Sequence, residues 1–247
     1  ITLNRPKTLN ALTMNMINQM RFNISEWMRD DAIRIIIIKG AGDKAFCAGG
    51  DVRAVRQSII DYKGAEVPEL AQNFFHEEYI LNHQIHTCKK PYLAIIDRVC
   101  MGGGVGLSVH GSFRIATERT LVGMPETAIG LFPDVGGAWF LSRLSGEIGT
   151  YLALTGRPVH AGDCLALGIA THLVASSSLE KLETDLRSKK FGIDPFSDIH
   201  KLLKRFSINN SKTPILDLKP QIDSYFAANS VEEIISRLTE GKTEFCE

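Results

Sequence analysis

The chain has 247 residues, 44% hydrophobic and 23% charged, which suffices for one large domain or two small ones with a substantial core and excludes a disulfide mini-protein. Lys and Arg number 28, as do Asp and Glu, so there is no net charge to point to a nucleic-acid or membrane-surface partner, and any anion site must be local. Five cysteines (Cys47, Cys88, Cys100, Cys164 and Cys246) form no CxxC pair, which argues against a disulfide framework or structural zinc and fits a reducing compartment.

Ile1 to Pro6 reads as the end of a strand with no initiator Met, so a targeting segment upstream would leave no trace here. From Asn10 to Trp27, Leu12, Met16, Met20, Ile24 and Trp27 recur every three to four residues and predict an amphipathic helix. Ile33 to Lys39, closed by Gly40-Ala41-Gly42, predicts a buried strand, and its apolar run stops far short of the ~20 residues of a membrane span. Asp51 is placed to cap a helix over Val52 to Gln57. Ser58 to Lys89 reads as a loop entering a helix, and Tyr92 to Ile96 as a second strand. The Gly102-Gly103-Gly104 turn leads straight into a helix over Val105 to Val109, with further strands at Phe113 to Ala116 and near Leu121 and Val122. Helices follow at Gly136 to Leu144, Gly149 to Thr155, Ala161 to Leu167 and Leu179 to Ser188, and the alternation of helix and strand predicts a parallel sheet. From Phe191 through Pro220 the chain is polar and aperiodic, and a helical pattern returns only at Val231 to Leu238. Thr243 to Glu247 carry no capping signal or Gly stop, as expected of a chain cut within its C-terminal region. Asn23-Ile24-Ser25 and Asn209-Asn210-Ser211 match the N-glycosylation pattern, a match too common to carry weight.

Three elements can carry chemistry. The Gly102–Gly104 turn exposes backbone N–H groups at the start of a helix, a setting for an anion or a developing oxyanion, although such a triplet also serves simply as a tight turn. It has neither the Lys-Ser/Thr of a P-loop nor dinucleotide-fingerprint spacing. Ala48-Gly49-Gly50-Asp51 is a second glycine turn, and two such turns can aim two donors at one oxygen. Glu126 and Asp134 lie eight residues apart in an apolar stretch, each after a proline. Among Met, Leu, Phe and Val their pKa values should rise, as those of acid/base groups often do; helix capping by Asp134 and a solvated Glu126 are the plainer alternatives. His83 and His86 lack the partners of a metal site, Ser108 is not in a nucleophile elbow, and Cys47 reads as a buried thiol before a nucleophile.

These elements, in this order, resemble the crotonase (enoyl-CoA hydratase/isomerase) superfamily, from Leu3-Asn4-Arg5-Pro6 through Phe46-Cys47-Ala48-Gly49-Gly50-Asp51 and the glycine triplet to Pro133-Asp134-Val135-Gly136-Gly137. Met101 to Gly111 followed by Met124 to Gly137 is similar to the 3-hydroxyisobutyryl-CoA hydrolase branch. The resemblance implies an α/β fold, a spiral of ββα units over residues 1–189, with 190–247 the start of a C-terminal helical region that is incomplete here. It also implies an acyl-CoA thioester substrate whose carbonyl oxygen is held by the N–H groups of Gly50 and Gly103, with Glu126 and Asp134 catalytic. Glu78 matches a further substrate contact, an exposed helix residue being the alternative. Hydratases carry a second glutamate where this chain has Gly106, so the resemblance implies hydrolysis of a short branched 3-hydroxyacyl-CoA, as in valine catabolism, over hydration or isomerisation. Glu126 either attacks the carbonyl or deprotonates a water; Asp134 binds the 3-hydroxyl or protonates the leaving thiolate. A non-catalytic acyl-CoA- or RNA-binding member is the remaining alternative. No metal or separate cofactor is implied, coenzyme A being part of the substrate, and Arg5, Lys7 and Arg53 are candidates for its 3′-phosphate. A mitochondrial setting (peroxisomal in plants) and a homo-oligomer complete the expectation, with no nucleic-acid or membrane partner.

Overall fold

Each strand of the molecule hands the chain either to its neighbour in a second sheet or to a covering helix, and the alternation winds it into a spiral. The computed structural model describes residues 1–64, 66–209 and 212–246, so the Asn209–Ser211 match and the final Glu247 lie partly or wholly outside the described residues. In chain order come β1 (Thr2–Leu3), α1 (Met14–Arg29), β2 (Ile36–Gly40), β3 (Ala45–Cys47), α2 (Val52–Asp61), α3 (Glu69–His86), β4 (Tyr92–Ile96), β5 (Val99–Met101) and α4 (Gly103–Ser108). They continue with β6 (Phe113–Ala116), β7 (Leu121–Gly123), α5 (Gly137–Leu141), α6 (Ile148–Thr155), β8 (Val159–His160), α7 (Ala161–Ala166), β9 (His172–Leu173), α8 (Leu179–Ser188), α9 (Pro195–Phe206), α10 (Pro214–Phe226) and α11 (Val231–Glu240).

The first sheet, ordered β1-β2-β4-β6-β9, is parallel throughout; the second, β3-β5-β7-β8, is parallel except for β8. The spiral architecture is thus present, but with two sheets where the sequence suggested one. Both faces of the first sheet are covered. Ile36, Ile38, Ala94 and Ile96 point into the main core, while the alternate positions Leu93, Ile95, Phe113 and Ile115 pack on the other face against Leu182 and Leu186 of α8.

The second layer corrects the expectation for Phe191 to Pro220, which holds two helices. In α9, Ile199, Leu202 and Leu203 bury against the sheet, Pro195 opens the first turn and the Asp194 carboxylate accepts the Ser197 N–H at 3.1 Å. In α10, Pro214 opens the helix, Pro220 sits inside it, and the Ile215 N–H donates to Asp163 Oδ1 at 3.1 Å.

The first helix also begins later than its apolar spacing suggests. Thr13 is the cap, its Oγ1 accepting the Met16 N–H, and Asn10 is a latch outside the helix. Fully buried and left-handed at φ 58°, Asn10 donates through Nδ2 to the carbonyls of Ala41 and Ala45, both at 2.9 Å, and accepts the Arg5 N–H through Oδ1 at 2.9 Å. Asn tolerates that conformation better than other side chains. The latch holds the turn after β2 to the start of β3 and thereby fixes where β3 delivers the chain.

Candidate active site

β3 and β5 pair side by side, so the glycine turns that follow them emerge together. Leu12 pins the first turn on both sides: its N–H donates to Gly49 O and its carbonyl accepts the Asp51 N–H, each at 2.8 Å. The Gly50 N–H between them has no acceptor among the described residues, and Gly50 lines the cleft. Asp51 caps α2 through Oδ1 and pairs with Arg5 Nη2 at 3.1 Å through Oδ2, which commits Arg5 to this turn.

The second turn is tighter. Gly102 has φ +47°, and a Cβ there would meet Glu126 Oε1 at 2.6 Å, so only glycine fits both the backbone and the space. A Cβ on Gly103 would lie 3.1 Å from the Gly50 nitrogen and would run into Glu78 Oε1. The two glycine nitrogens therefore flank one small space, and among the described residues neither N–H has an acceptor. Donors so placed suit an oxygen that gains negative charge.

Three carboxylates surround that space. Glu126 opens a 3-10 turn after Pro125, Asp134 lies in the loop before α5, and Glu78 faces inward from α3; at 7%, 8% and 2% exposed none is solvated, and α5 is capped by Gly136 with no side-chain bond from Asp134. With Gly50, Gly103, Phe75, Met101 and Leu131 they line a cleft of about 290 Å³. Burial raises all three pKa values. Glu78 is pushed up to about 8, with the charges of Asp134 and Glu126 adding to burial. Glu126 is pushed up to about 7, its own backbone N–H opposing burial and the Asp134 charge adding to it. Asp134 also rises, less freely, because the Tyr79 hydroxyl donates to its Oδ2 at 2.8 Å.

A carboxyl whose pKa rises on folding holds its proton more tightly folded than unfolded. Its contribution to stability is complete below the ordinary value of 4.5 and is lost as pH rises through about 7 for Glu126 and about 8 for Glu78. Glu78→Gln is accordingly expected to raise the melting temperature above that of the unaltered chain at pH 9 and to leave it unchanged at pH 4.5. Thermal melts across that range check this; an equal shift at both ends would mean that the charge is not the cause.

The other sequence candidates lie apart. His83 and His86 line a neighbouring cavity with His110 and Trp139, and no group of three metal-ligating side chains forms among the described residues. Ser108 donates back to the carbonyls of Gly104 and Val105. Cys47 is fully buried, donates to Asn10 O, and burial pushes its thiol up, the opposite of an activated nucleophile. Sequence reasoning passed over Tyr79 and Asn82 of α3: Tyr79 donates to Asp134, and Asn82 lines the neighbouring cavity beside Gly106; their only signal was a place one and four residues after Glu78 on the same helix.

A family model for enoyl-CoA hydratase/isomerase matches residues 1–247. The chain belongs to the enoyl-CoA hydratase/isomerase family. Within it, the mitochondrial 3-hydroxyisobutyryl-CoA hydrolase of Xenopus laevis is 51% identical over 243 residues, 96% of this chain and 61% of that protein. The human protein of the same name is 49% identical over 251 residues, 99% of this chain and 63% of that protein. The chain thus spans a little under two thirds of the length of these curated relatives. Among solved structures, a carnitinyl-CoA dehydratase from Mycobacterium thermoresistibile superposes with TM-score 0.89 at 35% identity, over 99% of this chain and 68% of the other. An enoyl-CoA hydratase from Rhodobacter sphaeroides 2.4.1 gives 0.87 at 32% identity with the same coverage of both chains. This family member thus shares its fold with a dehydratase and a hydratase, and about half of its aligned sequence with two proteins named hydrolases.

Proposed function

We propose that the chain hydrolyses the thioester of a short, branched 3-hydroxyacyl-CoA, releasing the hydroxy acid and CoA, with 3-hydroxyisobutyryl-CoA as the preferred substrate and a mitochondrial setting like that named for its relatives. One observation carries the reading: Glu126, whose Oε2 is buried and, among the described residues, without a partner, stands against the Gly102 turn beside the Gly50 and Gly103 N–H groups, which likewise have no acceptor there, and Asp134 supplies a second carboxylate. Hydration would call for a second carboxylate at residue 106. There, a Cβ would meet Val135 Cβ at 2.6 Å and Asn82 Nδ2 at 2.8 Å, so a glutamate has no room.

The thioester oxygen sits between the Gly50 and Gly103 N–H groups, which take up its charge as the carbonyl becomes tetrahedral. Glu126, with a pKa near 7, accepts the proton of the attacking water and returns it to the CoA sulfur as the tetrahedral intermediate collapses and the C–S bond breaks, for which a group poised near neutral pH is suited. Asp134, oriented through Oδ2 by Tyr79, has Oδ1 for the substrate hydroxyl, and Glu78 walls the oxyanion space. Coenzyme A arrives as part of the substrate, and the scheme calls for no other cofactor. Residues 1–189 form the acyl-CoA-binding core in this reading, and 190–247 begin the C-terminal helical region, whose α9 already covers the first sheet.

The test is free thiol release from 3-hydroxyisobutyryl-CoA, with hydration of crotonyl-CoA followed in parallel by loss of enoyl absorbance. Thiol release without hydration is expected. Hydration without thiol release would replace this reading by that of a hydratase.

A further inference from the structure

Beside the cleft, in the cavity that Tyr79, His83 and His110 also line, lies a polar group with no assigned role. Asn82 is 6% exposed, and among the described residues neither its Nδ2 nor its Oδ1 has a hydrogen-bond partner. A buried amide left unpaired is destabilising, so a fold retains one chiefly where something else completes it.

Its position suggests what that is. Helices α3 and α4 face each other through two rungs. In the first, Glu78 of α3 meets Gly103 of α4 at the oxyanion space; in the second, Asn82, four residues on, meets Gly106, three residues on. The rungs are one helical turn apart, roughly 5 Å, about the span from a thioester oxygen to a substituent on carbon 3 of the acyl chain. Val135 closes the second rung against Gly106, next to Asp134, and Tyr79 on the same helix as Asn82 holds Asp134 Oδ2. We propose that Asn82 is a specificity-determining residue that donates through Nδ2 to the hydroxyl oxygen of a 3-hydroxyacyl group, while that hydroxyl donates to Asp134. An unsubstituted acyl chain would leave the amide unpaired. The proposal rests on the function inferred above and deepens it by naming the group that reads the acyl chain.

The experiment compares 3-hydroxyisobutyryl-CoA with isobutyryl-CoA in the unaltered chain and in Asn82→Leu, with Asn82→Ala as a second variant should the first not fold. The unaltered chain is expected to favour the hydroxylated ester in kcat/KM by at least 100-fold. The variant is expected to lose 10- to 100-fold on the hydroxylated ester alone, and to melt no lower, since the unpaired amide is gone. Affinities for non-hydrolysable thioether analogues with and without the hydroxyl, measured by calorimetry, keep the two readings separable. If no ester is hydrolysed but hydroxyl discrimination in binding depends on Asn82, the hydrolase reading fails and this one stands. Equal losses on both esters, or unchanged discrimination in the variant, would overturn the proposal and leave Asn82 a structural residue bridged by water.

Discussion

Replacing Glu126 by glutamine is expected to lower kcat for CoA release by about 10³-fold while leaving acyl-CoA binding within a few-fold of the unaltered chain, the range in which loss of a general base falls. The amide has the size and most of the contacts of the carboxylate, and it fills the same space beside Gly102, so the binding cleft keeps its shape. What it lacks is an oxygen basic enough to take a proton near neutral pH. The unaltered chain should also show kcat/KM climbing with pH through about 7, where Glu126 gives up its proton, and the residual rate of the variant should not follow that curve. Steady-state thiol release across pH 5 to 9 and binding of a non-hydrolysable analogue measure both effects. A variant that keeps a tenth or more of the rate would move the base to another carboxylate, with Glu78 and Asp134 the neighbours to test.

The features legible in the sequence are local ones. Asp51 sits where a cap is needed and caps α2; the glycine triplet sits between a strand and a helix and forms that junction. The core strand Tyr92 to Ile96 is marked by a run of five apolar residues after a proline, and it is buried on both faces. Features that depend on distant parts of the chain were not legible. β3 and β5 have three residues each, too few for any period, and exist because they pair with each other. Asn10 appeared to belong to a helix because its neighbours have helical spacing; its carbonyl partners come from residues more than thirty positions away. In α9 the apolar period was present, but polar loops on both sides diluted it, and in α10 the internal Pro220 argued against a helix that packing on α6 and α7 sustains. The site divides in the same way. Glu126 and Asp134 were marked by their apolar setting, Gly50 and Gly103 by their turns, and Glu78 only by family resemblance. Tyr79 and Asn82 carry no motif, and their roles follow from which helix face meets α4 and the Asp134 loop.

Gly103→Ala is expected to cut kcat by on the order of 10²–10³, the loss that follows removal of one oxyanion donor in other enzymes. Gly103 opens α4 without a left-handed φ, and alanine is the better helix former, so the backbone has no quarrel with the change. The obstacle is space. The added methyl would lie 3.1 Å from the Gly50 nitrogen and 3.3 Å from Leu12 Cδ1 and would run into Glu78 Oε1, so it occupies the opening through which both N–H groups reach the carbonyl oxygen. Glu78 must move to admit it, and its buried Oε1 has no hydrogen-bond partner among the described residues to hold it in a new place. The loss should fall on kcat, because the donors act most strongly on the charge of the transition state, and affinity for free CoA, which has no carbonyl at this point, should be unchanged. Steady-state kinetics with a CoA-binding titration separate these outcomes, and a far-UV spectrum and thermal melt confirm that α4 is intact. If a folded Gly103→Ala chain kept kcat within threefold, the carbonyl oxygen would have to be bound elsewhere, and the pairing of the two glycine turns would be a matter of packing alone.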